Sequence, residues 1–286
     1  MHMIILFKAT VTGVLLACLE LRQRPEADLV FACDPKEGEA KLKMSNPVSE
    51  VIRVGFNKKI DKQQLIKRIF PDGWHRITNF DSSPLNYIDL VLRHRKCNPA
   101  ELVRLLRGCE GEVDGLYCGK ERLCKRYYRY MREVKNNYHR LCMFVRPVCG
   151  ETVLYVHVTP PNRISDMLCR WLAVRNPDRA VIVVDGKFAY VCNGEILKMQ
   201  HFLKTSVDSI QHLIPSEDSA NLEELWDTYY KSQMIDNRRN HSLSKKLQPR
   251  ADSGYSPMSK KDRYFVERGI PTSTLLDFVN EKQGGQ

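Results

Sequence analysis

The spacing of apolar residues along the chain changes period several times, and each change marks an element. Met3 to Phe7 (MIILF) predicts a buried strand, and Val11 to Leu21 takes up helical spacing behind a Thr10 or Thr12 cap. Ala27 to Cys33 and Val51 to Phe56 predict two more strands, separated by a charged connection from Asp34 to Pro47 that contains Pro and Gly. Helical spacing returns from Ile60 to Phe70. Ser83-Pro84 and Asn98-Pro99 are cap-then-proline starts, which place helices at Pro84 to Lys96 and Pro99 to Arg107. Gly108, Gly111, Gly115 and Gly119 mark a loop after them.

The next stretch, Gly119 to Pro147, is the densest in positive charge. From Lys120 to Arg146 it holds nine Lys or Arg against two Glu. On a helix, Leu123, Tyr127, Tyr130, Met131, Val134 and Tyr138 share one side, which must be buried. Arg122, Lys125, Arg126, Arg129, Arg132 and Lys135 occupy the remaining surface.

Beyond this helix the period becomes two. Leu141 to Arg146 and Thr152 to Thr159 predict a hairpin around Cys149-Gly150. A Pro160-Pro161 break leads to a helix from Ile164 to Val174. Strands at Ala180 to Asp185, Phe188 to Cys192 and Glu195 to Met199 then follow, with turns at Asp185-Gly186 and Asn193-Gly194. The order ββαβββ predicts an α+β fold: a mixed or antiparallel sheet with helices packed on it, behind a helical middle segment from about 60 to 140. A helix from Leu222 to Ile235 and a basic turn or helix from Asn240 to Leu247 complete an expected single domain over 1–250. The remainder, 251–286, is expected to be a polar, partly mobile extension, and Ala251 to Asp262 is its most turn-rich part.

Composition narrows the function. The 286 residues carry a net charge of +11 with 43% hydrophobic content, enough for a core and a cationic surface. Nucleic acid or an acidic protein surface is the expected partner. The ten cysteines include no CxxC pair, which points to a reduced, cytoplasmic chain. Cys109, Cys118, Cys124 and Cys142 match no standard metal or iron–sulfur spacing, so no metal is expected. Leu15-Leu16-Ala17-Cys18 has the look of a lipoprotein cleavage site, but Lys8 interrupts the apolar stretch and no basic region precedes it. No stretch is long enough to span a bilayer, and no membrane partner is expected. Phosphate-loop, zinc-protease, nucleophile-elbow, dinucleotide and radical SAM cysteine patterns are missing.

Chemistry therefore rests on scattered polar residues. Arg122, Lys125, Arg126, Arg129 and Arg132 are candidates for phosphate contacts. Tyr127, Tyr130 and Tyr138 sit at core spacing and are expected to pack rather than to stack on bases. His139 and Arg140 stand at the predicted helix–strand junction, where they either bind phosphate with Arg146 or cap the helix and pair with a carboxylate. Arg238 and Asn240 are read equally as donors to nucleic acid and as ties for the last helix. His139 and Asp185 are candidates for catalytic acid or base.

The segment His139-Arg140-Leu141-Cys142-Met143-Phe144-Val145-Arg146 resembles the HRxxxFxRF signature of an uncharacterised family labelled "probable DNA metabolism protein". Leu225-Trp226, Tyr229-Tyr230-Lys231, Ile235, Arg238, Asn240, Leu243 and Pro249 are similar to its C-terminal pattern LWxxYFxxxxIxxRxNPxLxxxxxPxRYW. Pro160 to Arg175 with Ala180 to Asp185, and Thr10 to Leu15, are similar to two further family stretches, so the resemblance extends to about residue 250. It implies a role in DNA repair or modification beside a radical SAM protein, in a family also found fused to uracil-DNA-glycosylase-like domains. An iron–sulfur cluster and SAM would belong to that partner, with no cofactor in this chain. Departures from the family pattern remove carboxylates: Asn137 and Asn237 stand where acidic residues are expected, and Lys8 replaces another.

Three functional readings follow. The first is a nucleic-acid-binding accessory protein in DNA repair or modification. The second is an enzyme acting on nucleic acid or an extruded base, which the missing carboxylates disfavour. The third is a protein-interaction adapter whose basic surface meets an acidic partner.

Overall fold

The computed structural model describes residues 3–45, 50–56, 60–71, 83–109, 114–118 and 121–214. The chain divides into two compact units: Met1–Asn137 with Pro161–Arg163, and Tyr138–Pro160 with Ile164 onward. Both combine strands with helices, in keeping with the α+β class.

The first unit opens β1 (Met3–Lys8), α1 (Val11–Gln23), β2 (Asp28–Ala32), α2 (Pro35–Ser45) and β3 (Glu50–Val54). Its three strands form a parallel sheet in the order β2-β1-β3. Central β1 is buried from Ile4 to Phe7, as a strand covered on both faces must be. Thr10 caps α1 by accepting the Gly13 N–H at 3.2 Å. Gly13 has no room for a side chain: an added Cβ would lie 2.0 Å from the Lys8 carbonyl oxygen.

The connection expected from Asp34 to Pro47 is instead largely helical. Asp34 Oδ1 accepts the Lys36 N–H at 2.7 Å and Pro35 opens the helix, so Asp34-Pro35 is a third cap-then-proline start. Its apolar stripe is weak because α2 packs closely through Gly38, whose Cβ would meet Ala32 and Leu6.

Next come α3 (Lys62–Ile69), α4 (Pro84–Arg93), α5 (Pro99–Gly108) and α6 (Asp114–Cys118). Asp61, Ser83 and Asn98 cap the first three through their side chains. The α4 helix ends at Arg93, before the predicted Lys96, with His94 in extended backbone. The α6 turn lies within the stretch expected to be only a loop.

The long helix α7 (Arg122–Phe144) contradicts the predicted strand from Leu141 to Arg146. Leu141 and Val145 are buried three and seven residues after Tyr138, which continues the helical stripe rather than a strand alternation. The first arm of the hairpin lies instead at β4 (Val148–Cys149), beyond the predicted residues, and pairs with β5 (Val153–His157).

The second unit continues with α8 (Ser165–Arg175), β6 (Ala180–Asp185), β7 (Phe188–Cys192) and β8 (Phe202–Ser206), giving a mixed sheet in the order β4-β5-β6-β7-β8. Strands β5 and β6 pair in parallel and are joined through α8, while the other pairs among the described residues are antiparallel. The predicted ββαβββ order holds, but its last strand is displaced. Glu195 to Met199 lies mostly in a short 3-10 turn, Gly194–Leu197, because Asn193 and Lys198 adopt left-handed backbone and Gly194 closes tightly on Gln200. One face of the sheet closes a core of Val153, Ala180, Ile182, Val184, Ala189, Val191 and Ile210. The stretches predicted as helix at Leu222 to Ile235 and Asn240 to Leu247, and the 251–286 extension, lie outside the described residues. No helix among the described residues is long and apolar enough to cross a membrane.

Candidate nucleic-acid interface

Two buried clamps fix α7 against its neighbours in the first unit. Tyr127 is fully buried, and its hydroxyl lies 2.9 Å from both the Asn98 carbonyl oxygen and Glu101 Oε2. Burial, then the bond to Glu101, pushes its phenol well above the ordinary range, so it stays a neutral donor. Asn98 caps α5, and the same tyrosine therefore ties α7 to the start of α5.

The second clamp is a stack. The His94 ring lies parallel to Tyr130 with centroids 4.0 Å apart. His94 Nε2 is 3.0 Å from Glu133 Oε2, while the Lys96 N–H points to Nδ1 at 3.2 Å. A backbone donor at Nδ1 leaves the proton on Nε2, which donates to Glu133. Met131 and Val134 fill the stripe between and beyond these contacts. Tyr127 and Tyr130 thus pack, as their spacing predicts, and Tyr138 is half-buried.

With the apolar side held inward, the cationic side is forced outward. Arg122, Lys125, Arg129 and Arg132 are exposed. Arg122, Leu123, Lys125, Arg126 and Arg129 line an open concavity of about 620 Å³. Arg132 lies over the Tyr128 ring at 6.0 Å, and Arg129 reaches Glu133 at 3.6 Å along the helix. Arg126 differs from the others: its Nη2 is 2.6 Å from Glu101 Oε2 and its guanidinium lies over the Tyr127 ring. Chemically the concavity offers guanidinium forks and an ammonium to an anion about the size of a nucleotide or larger.

His139, Arg140, Arg146 and Asp185 belong to the second unit and not to this lining. His139 is exposed and Arg140 half-buried on the last turns of α7, so neither stands at a helix–strand junction. Arg146 donates from Nη1 to the carbonyls of Met143 and Val145 at 3.2 and 3.0 Å, closing the end of the helix. Asp185 ends β6 and accepts the Ser165 hydroxyl at 2.7 Å, pinning the start of α8 to the strand. Arg238 and Asn240 lie outside the described residues.

Sequence spacing gave no sign of the Glu101 and Glu133 clamps, since each joins helices distant in the chain. It also missed that Cys109 and Cys124 approach to 3.8 Å between sulfurs; their gap fits no metal pattern, and both are thiols here. No group of three or more metal-ligating side chains occurs among the described residues.

A family model described as a domain of unknown function, DUF4130, matches residues 102–251, just over half of the chain. No curated protein matches. Among solved structures, a pGpG-specific phosphodiesterase, PggH from Vibrio cholerae, is similar at a TM-score of 0.40 and 12% identity, covering 82% of this chain and 99% of that one.

Proposed function

Since the chain belongs to the DUF4130 family of domains of unknown function, we propose that it works by binding nucleic acid on the outward face of α7. The observation that carries this reading is the segregation of charge. Arg122, Lys125 and Arg129 face outward around a concavity and Arg132 is exposed one turn on, while Glu101 is held by Arg126 and Tyr127 and Glu133 is shared between His94 and Arg129. A surface arranged in this way neutralises phosphates and releases their counterions.

The finer reading is an accessory role in DNA repair or modification beside a radical SAM enzyme, which would carry the iron–sulfur cluster and SAM. The motif resemblance around His139 to Arg146 and Leu225 to Pro249 supports it. The enzyme alternative gains nothing from Asp185, whose carboxylate is engaged as an anchor for Ser165. The test is a filter-binding comparison of the full chain with an Arg122→Glu, Lys125→Glu, Arg129→Glu variant on labelled DNA. The proposal expects at least a tenfold loss of affinity with an unchanged circular dichroism spectrum, and equal binding by the two proteins would overturn it.

A further inference from the structure

We propose that the outer face of the β7–β8 hairpin is a base-stacking platform for single-stranded nucleic acid. The inference rests on the nucleic-acid reading above and adds to it the class of strand recognised. Strand register places three cross-strand rows on one face of the second unit's sheet: Val181–Cys192–Phe202, Val183–Tyr190–Lys204 and Asp185–Phe188–Ser206. The opposite face closes the core through Ala189, Val191 and Leu203. The α8 helix covers the β6 side of these rows, where Cys169 Sγ reaches the carbonyls of Val181 and Tyr190 at 3.5 and 3.3 Å. Beyond α8, Phe188 is exposed while Tyr190 and Phe202 are half-buried.

Phe188 is 52% exposed directly after the two-residue loop, where Gly186 takes a φ of +60°. Lys204 Nζ lies 4.4 Å from the Phe188 ring centroid and 5.5 Å from that of Tyr190, and Arg170 lies 4.2 Å from that of Phe202. Three rings and two cations therefore share one face. The single carboxylate in the three rows, Asp185, is held by the Ser165 hydroxyl.

This composition selects a partner. Rings at alternate strand positions, about 7 Å apart, present flat apolar surfaces to unpaired bases, whose faces a duplex keeps hidden. The cations among the rings match the negative charge that accompanies every base, and Lys204 can turn from ring to phosphate as a base takes its place. An acidic peptide would use the cations but leave Phe188 exposed. A neutral apolar partner would bury both cations unpaired. A single strand satisfies both.

The test uses the full chain and fluorescence anisotropy with a labelled oligothymidine and a labelled duplex at several salt concentrations, with affinities compared at the lowest. Phe188→Ala is expected to weaken single-strand binding on the order of tenfold, to leave duplex binding unchanged, and to leave the salt dependence of single-strand binding intact because the ring carries no charge. Lys204→Gln is expected to reduce that salt dependence by about 0.7 in the logarithmic slope. Phe188 is exposed, and an unchanged melting curve confirms that its loss does not act through folding. Single-strand affinity unchanged in both variants, or single-strand and duplex affinity falling together, overturns the platform. If the wild type binds and only the α7 charge reversal abolishes binding, the platform falls while the nucleic-acid reading stands. If the wild type binds neither strand form, both fall.

Discussion

Arg126 and Glu101 meet at 2.6 Å between Nη2 and Oε2, and that same carboxylate oxygen lies 2.9 Å from the Tyr127 hydroxyl. A residue that sequence spacing groups with the phosphate contacts is thus also part of the joint between α5 and α7. The pair is partly exposed, so its strength is that of a screened ion pair, up to about 1 kcal/mol. Arg126→Gln is expected to lower thermal stability by that amount while changing DNA affinity less than twofold, and Arg129→Gln is expected to do the reverse. Parallel melting and anisotropy measurements on the two variants separate these roles.

Tyr127→Phe keeps the buried ring and deletes only the hydroxyl that meets Asn98 and Glu101. A net loss of about 1 kcal/mol is expected, a fall in Tm of roughly 2–4 °C for a chain of this size. Calorimetry checks it; an unchanged Tm would mean that the hydroxyl does not tie the helices.

Glycine substitutions should divide sharply. At Gly13 an added methyl would sit 2.0 Å from the Lys8 carbonyl oxygen, whereas at Gly108, the last residue of α5, nothing lies within 4 Å. Gly13→Ala is expected to destabilise by more than about 2 kcal/mol through forced backbone movement. Gly108→Ala is expected to be neutral or stabilising by up to about 1 kcal/mol. Chemical denaturation of the two variants gives both values.

Thiol chemistry follows burial. Burial pushes the Cys97 thiol up to about 12, with Arg163 opposing the shift. Because its pKa is higher folded than unfolded, the neutral thiol contributes stability in full below the unfolded value. That contribution fades as pH rises from the ordinary thiol range through about 12. At pH 8 alkylation is expected to label exposed Cys33 and Cys149 first and Cys97 only after unfolding. Mass spectrometry of timed samples reads the order, and early labelling of Cys97 would contradict it.

The elements most legible in the sequence are those whose own residues carry the signal. The apolar run at Met3 to Phe7, the Thr10 cap, and the Ser83-Pro84 and Asn98-Pro99 starts all lie at helix or strand boundaries in the structure. Asp34-Pro35 carried the same signal, but glycine at 38 removed the apolar stripe that would have confirmed a helix. Leu141 to Arg146 misled because a short apolar run fits either period, and the deciding partners, Val134 and Tyr138, precede it. The cationic face of α7 was readable, since charge pattern alone fixes it once the apolar stripe is buried. Which cations it commits elsewhere was not, because Glu101 reaches α7 from α5 and His94 from the residue that follows α4. The rings of β7 and β8 were hidden for the same reason: Phe202 and Lys204 join Phe188 and Tyr190 only through strand register.

The most direct test of the account is the anisotropy of labelled single- and double-stranded DNA titrated with the full chain at several salt concentrations. The account predicts micromolar or tighter binding at low salt, falling steeply as salt rises, with a slope that counts the phosphates neutralised. Folded protein that leaves both DNA forms unbound at low salt would contradict it.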